Sequence, residues 1–167
     1  MSYSYLEAEM VMETTTDITE TTSKVNEILK ETTDKIFSLL QKINEEDYEL
    51  SEEEEEEFSC LNHYGCVDDC EDWNDVYSIF SEMVNVEKNG DLVMKINTEK
   101  QMGSTQDFDF LTKTLSPLMK NDYTFGTSSE WDSKEGIWSQ TYIMTKRGEF
   151  MGLKGIVDDY FTKKNNN

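Results

Sequence analysis

Apolar residues recur between positions 17 and 45 in alternating steps of four and three: Ile18, Thr22, Val25, Leu29, Thr32, Ile36, Leu39 and Ile43. That spacing is a heptad seam, and it predicts one long helix. Asp17 or Thr16 can cap its start, and no Pro or Gly falls inside. Two seam positions are Thr, and the seam is fully apolar only from Ile36, where Phe37 and Leu40 widen it. So narrow a stripe has to dock. Its own domain, a second copy joined through 18–43 as a homodimer, or a partner's groove could each cover it. A second stripe runs Cys66, Cys70, Trp73, Tyr77, Phe80 and Val84, with Val76 and Met83 beside it. It predicts an amphipathic helix over 66–84, centred on 71–83, with Asp69, Glu71, Asp72, Asp75 and Glu82 on its outer face.

The pattern changes after residue 84. Asn89-Gly90 lies between Val84–Val86 and Leu92–Ile96, which predicts a hairpin with a type I′ turn. Phe108, Leu111, Leu115, Leu118 and Met119 predict a helix over 107–119, ended or kinked by Pro117. Strands are expected at about 123–131, 137–144 and 149–153, and a closing helix at 156–162. The strand aromatics Tyr123, Phe125, Trp131, Trp138, Tyr142 and Phe150 are read mainly as core, with an exposed patch as the alternative. In residues 1–15, Leu6, Met10 and Val11 could continue a helical stripe, but Thr14, Thr15 and Thr16 interrupt it, so this stretch is taken as a frayed or partner-dependent lead-in. The expected architecture is α+β. An acidic helical region (16–84) packs on a mainly antiparallel sheet of about five strands with one or two further helices (85–162), all in one domain, before a disordered tail (163–167).

Charge sharpens this division. The 167 residues carry 36 Asp and Glu against 15 Lys and Arg, a net of −21. Residues 1–75 hold 23 of those acids and 4 Lys, whereas residues 76–167 hold 13 acids and 11 basic residues. Such a chain lacks the basic footprint that direct nucleic-acid binding needs, and it is repelled by an anionic membrane surface. An aromatic content of 11% argues against full disorder. The densest block is Glu52, Glu53, Glu54, Glu55, Glu56 and Glu57. Ser51 and Glu54 could form a capping box that starts a helix there; a flexible acidic linker is the alternative. With Asp68, Asp69, Glu71, Asp72 and Asp75, these glutamates are the candidate partner-binding residues.

Every cysteine and the single histidine fall within eleven residues, as Cys60, His63, Cys66 and Cys70. Four N and S donors at this spacing suit tetrahedral zinc, and Gly65 could let the chain turn around an ion. Against that, Cys66 and Cys70 already lie on the apolar stripe, where free Cys packs as a small hydrophobe. Acidic neighbours also raise thiol pKa values, which disfavours an activated nucleophile. Glycine-rich nucleotide motifs and the nucleophile elbow are absent, so no catalytic residue is assigned and no cofactor is expected, zinc being the one alternative. No signal peptide and no apolar run of membrane-spanning length is read, so the expected compartment is the cytoplasm, a host cell's included.

Two functions follow as expectations. The first is a non-catalytic acidic interaction module, an inhibitor that mimics a polyanion and binds a basic, nucleic-acid-binding protein. In composition alone the chain resembles nucleic-acid mimics and immunity proteins. The second is a small zinc-binding regulatory or adaptor domain.

Overall fold

A computed structural model describes residues 4–45, 47–58, 66–151, 161–162 and 164. Among the described residues, six strands form one antiparallel sheet: β1 (Ser4–Met12), β2 (Val84–Val86), β3 (Leu92–Asn97), β4 (Tyr123–Asp132), β5 (Gly136–Thr145) and β6 (Phe150–Met151). The helices are α1 (Ile18–Ile43), α2 (Glu52–Phe58), α3 (Trp73–Ser81) and α4 (Thr105–Leu115). The strand order is β2-β3-β1-β4-β5-β6. The first four strands and their helical crossovers therefore trace β-α-β-β-α-β with β1 between β3 and β4, the split βαβ connectivity. β5 and β6 extend that unit by two hairpins.

The frayed lead-in is corrected. Residues 4–12 form a central strand, paired with β3 on one side and β4 on the other. Their period is two, not 3.6: Ala8, Met10 and Met12 are buried while Glu7, Glu9 and Val11 are exposed. Met10 faces Met94 and Met12 faces Leu92 across the ladder, so the inner rows of β1 and β3 share one core surface. On the outer side Glu9 pairs with Lys95 at 3.2 Å. The threonines that break the pattern after Met12 make the corner into α1. Thr16 and Thr21 join hydroxyls at 2.6 Å, and Thr14 donates to the Gly90 carbonyl at 2.7 Å.

α1 follows the predicted span, with Asp17 accepting from the Glu20 N–H at its start. Its buried side chains are Thr21, Val25, Leu29, Thr33, Ile36 and Leu39. Thr33 is tolerated because its hydroxyl donates to the Leu29 carbonyl at 2.6 Å. At ~1.5 Å per residue the helix is roughly 39 Å long. Ile18 and Ile43, at its two ends, are exposed.

The predicted 66–84 helix is shorter and broken. Cys66–Asp69 form a 3₁₀ turn, and α3 begins only at Trp73. A reciprocal capping box between Asp72 and Asp75 sets that start. The 84–97 hairpin also differs from expectation. Of the non-glycine residues described, only Asp47 has a positive φ, so Asn89 cannot serve a type I′ turn. Gly90 donates to the Glu87 carbonyl, and Glu87 donates to Asp91. That is a three-residue loop with Gly90 left-handed at its end. Lys146–Gly148 repeats the device between β5 and β6, with Gly148 at φ 79°. Pro117 ends α4 as expected, in a 3₁₀ turn at Ser116–Leu118. β6 falls inside the expected 149–153 strand. The expected 156–162 helix and the tail lie outside the described residues, apart from 161, 162 and 164.

The core lies between the inner face of the sheet and the helices. It is rich in methionine (Met10, Met12, Met83, Met94, Met119, Met144), with Phe80, Phe108, Leu111 and Leu115. Unbranched thioethers fill irregular gaps between helices and sheet. The helical layer, residues 17–82, holds 21 Asp and Glu against 4 Lys, a net of −17.

Candidate functional site

A run of six glutamates repels itself and gains nothing from the core, so its order needs anchors at both ends. The structure supplies them. At the start, the Glu54 N–H bonds the Ser51 hydroxyl at 3.2 Å while the Glu54 carboxylate accepts from the Ser51 N–H at 3.0 Å. This is the predicted capping box. Tyr48 donates its hydroxyl to the same carboxylate at 2.6 Å, and Lys42 of α1 approaches it at 3.8 Å. The Tyr48 bond, then the Ser51 backbone, holds the Glu54 carboxyl below its ordinary pKa, and the same pairing pushes the Tyr48 phenol up. At the far end Phe58 is buried against Phe110 of α4, ring centroids 6.1 Å apart, and Lys35 of α1 meets Glu57 at 3.5 Å. Acidic residues in a first helical turn also complement the helix dipole. Glu52, Glu53, Glu55 and Glu56 are exposed on the resulting helix.

The second acidic group surrounds the start of α3. Asp69 and Glu71 are exposed. Asp72 and Asp75 are exposed too, yet both carry structure: Asp75 accepts from the backbone of Glu71 and Asp72. The side chain of Asp68 lies outside the described residues. Trp73 ties this group to α1 by donating to Asp34 at 2.7 Å, and it stacks on Tyr77 at 5.0 Å. The candidate carboxylates described here thus sit on or beside helical backbone, and three of them, Glu54, Asp72 and Asp75, double as caps.

The cysteine–histidine cluster is only half placed. Cys60 and His63 lie outside the described residues. Cys66 is in the 3₁₀ turn and Cys70 just after it, both half-buried and reduced. Neither lies on α3, where the stripe expected them. The Cys70 thiol points at the Cys66 carbonyl, 3.8 Å away. Burial pushes both thiols up, helped by nearby carboxylates, Asp107 foremost for Cys66 and Asp75 for Cys70; Cys70 reaches about 11. Such thiols are protonated near neutrality, the wrong state for a nucleophile. Among the described residues, no group of three His, Cys, Asp or Glu is arranged to hold a metal ion.

Asp107 was not singled out by the sequence, and it organises this corner. It is fully buried. One carboxylate oxygen accepts from the Ser104 N–H (2.8 Å), the Ser104 hydroxyl (2.9 Å) and the Cys66 N–H (3.1 Å). It therefore caps α4 and fastens the 3₁₀ turn to it. The Ser104-x-x-Asp107 spacing was the available signal.

No protein-family model, curated protein or solved structure matches the chain. Among the described residues, no helix is long and apolar enough to cross a membrane.

Proposed function

We propose that this chain is a non-catalytic interaction module whose helical layer presents a polyanionic face to a basic protein surface, of the kind that otherwise holds nucleic acid. The observation that carries the reading is the ordering of the glutamate run on α2, pinned by Tyr48, Ser51, Lys42 and Lys35. Carboxylates fixed on rigid backbone lose little entropy when they meet a partner, and a dense single-sign field speeds encounter. Near-neutrality of the sheet half leaves that field directional, because residues 83–167 and 1–16 contribute only −4 of the −21. Complementary charge of this kind governs association rate and partner choice more than it does raw affinity.

The test is affinity capture from the native host at low and at high salt, followed by competition with duplex DNA. Recovery of a basic, nucleic-acid-binding protein that salt and DNA both displace is the expected result. A partner that is held equally at both salt concentrations and is indifferent to DNA overturns the reading.

A further inference from the structure

A cleft of about 300 Å³ lies between α4 and the inner face of β1, β4 and β5, away from the glutamate helix. Its walls are mostly apolar, with Phe108 from α4 and Phe150 from β6. Its lining holds two ionisable groups, Asp109 and Tyr142. Asp109 sits half-exposed on α4 between Phe108 and Phe110, and its carboxylate makes no hydrogen bond or ion pair among the described residues. Burial raises its pKa, and Lys113, one turn on, only partly offsets this. Tyr142 of β5 is the second. Its ring lies flat over Gly126, where a Cβ would come within 2.4 Å of the ring. Its edge contact with Phe150, centroids 5.7 Å apart, holds that position. The Tyr142 hydroxyl is buried at the floor of the cleft with no hydrogen-bond partner among the described residues. Burial, and then the charge of Asp109, push the phenol's pKa up. The two groups therefore feel each other and yet are not bonded.

A buried, unpaired hydroxyl such as that of Tyr142 is costly, and a partly desolvated carboxylate that Lys113 only partly compensates adds to the cost. Such pairs are kept where a ligand completes them. An anion is excluded by Asp109, and a neutral molecule leaves that charge unanswered. A protonated amine answers both groups, since it supplies positive charge to the carboxylate and a donor to the phenol oxygen. Aromatic walls also suit a cation: Lys113 Nζ already lies 5.5 Å from the centroid of the Phe150 ring. We propose that this cleft binds a small organic ammonium ion, an apolar body bearing one protonated amine, with Asp109 and Tyr142 as its two acceptors. The proposal is independent of the acidic helical face.

The experiment is a titration of the full chain, followed by NMR shifts of the Tyr142 and Phe150 rings, with three probes of one shape: phenethylammonium, phenethyl alcohol and phenylpropionate. Phenethylammonium should saturate the shifts, and it should bind about tenfold or more tightly than the alcohol, the scale of a charge-assisted hydrogen bond. Phenylpropionate should leave the rings unmoved. D109N should erase the preference for the ammonium while raising the melting temperature, because it removes a partly desolvated charge. Y142F, which keeps the ring, should weaken phenethylammonium several-fold. Equal binding of amine and alcohol, preference for the carboxylate, silence with all three probes, or an ammonium preference surviving in D109N would each overturn the proposal.

Discussion

Individual residues divide into those the fold cannot spare and those left over for recognition. Gly90 belongs to the first group twice over. It is left-handed at φ 90°, and a Cβ there would lie 2.1 Å from the Thr16 carbonyl oxygen. Gly90→Ala should cost more than ~1 kcal/mol by urea denaturation, because both the backbone and the α1 corner must shift. Met94 is fully buried opposite Met10. Met94→Ala should cost roughly 2–5 kcal/mol in the same assay, the range for a large core side chain cut to Ala. Asp107→Ala strands three donors at once and should cost roughly 3 kcal/mol or more. By contrast, neutralising the exposed Glu52, Glu53 or Glu55 should leave stability within ~0.5 kcal/mol. Little of this was legible beforehand. Asp107 looked like one more carboxylate in an acidic chain, and only its spacing from Ser104 marked it as a cap. Asp109 lies off the apolar stripe of its helix and Tyr142 was read with the strand aromatics, because an unmatched polar group is visible only once its neighbours are in place.

Elements were legible wherever one period governed a long segment. α1, β3, β4 and β5 lie close to their expected bounds for that reason. β1 was missed because its outward positions include Val11, and a helical stripe through Leu6, Met10 and Val11 competed with the alternation of Ala8, Met10 and Met12. The second helix was overextended because Cys66 and Cys70 continue its stripe, while the Asp72–Asp75 capping box, a local backbone device, overrides the stripe. α2 offers a pH test at this scale. Glu54 has its pKa lowered by folding, so its contribution is fully present above the ordinary carboxylate range and is lost as pH falls through the lowered value. Amide protection of residues 52–58 should therefore decline on acidification ahead of α1, and Glu54→Gln should remove that pH dependence. Protection that is flat from neutral pH downward in the wild type would contradict the anchoring role. Asp109 works with the opposite sign. Its pKa is raised by folding, so stability is lost as pH rises from the ordinary value through the raised one. The gain in melting temperature of D109N should thus be present at neutral pH and vanish in acid.

At the scale of the whole molecule, charge and scaffold are segregated. The sheet supplies a nearly neutral framework, and the helical layer holds −17 of the −21. α+β architecture could be read from the order of periods, whereas the sheet order β2-β3-β1-β4-β5-β6 could not, since no strand announces its neighbours. Segregation gives the molecule a strong electrostatic asymmetry, whose reach shrinks with the Debye length, from roughly 30 Å at 0.01 M salt to roughly 10 Å at 0.1 M. The most direct measurement is the dissociation constant for the captured basic partner across a salt series, for the wild type and for E52Q/E53Q/E55Q. Gln matches Glu in helix propensity, so the variant keeps α2 while losing three charges. A polyanionic recognition face predicts that wild-type affinity falls steeply with salt and that the variant binds more weakly with a shallower salt slope at unchanged melting temperature. Identical affinity and slope for the two proteins, or no salt dependence at all, would contradict it.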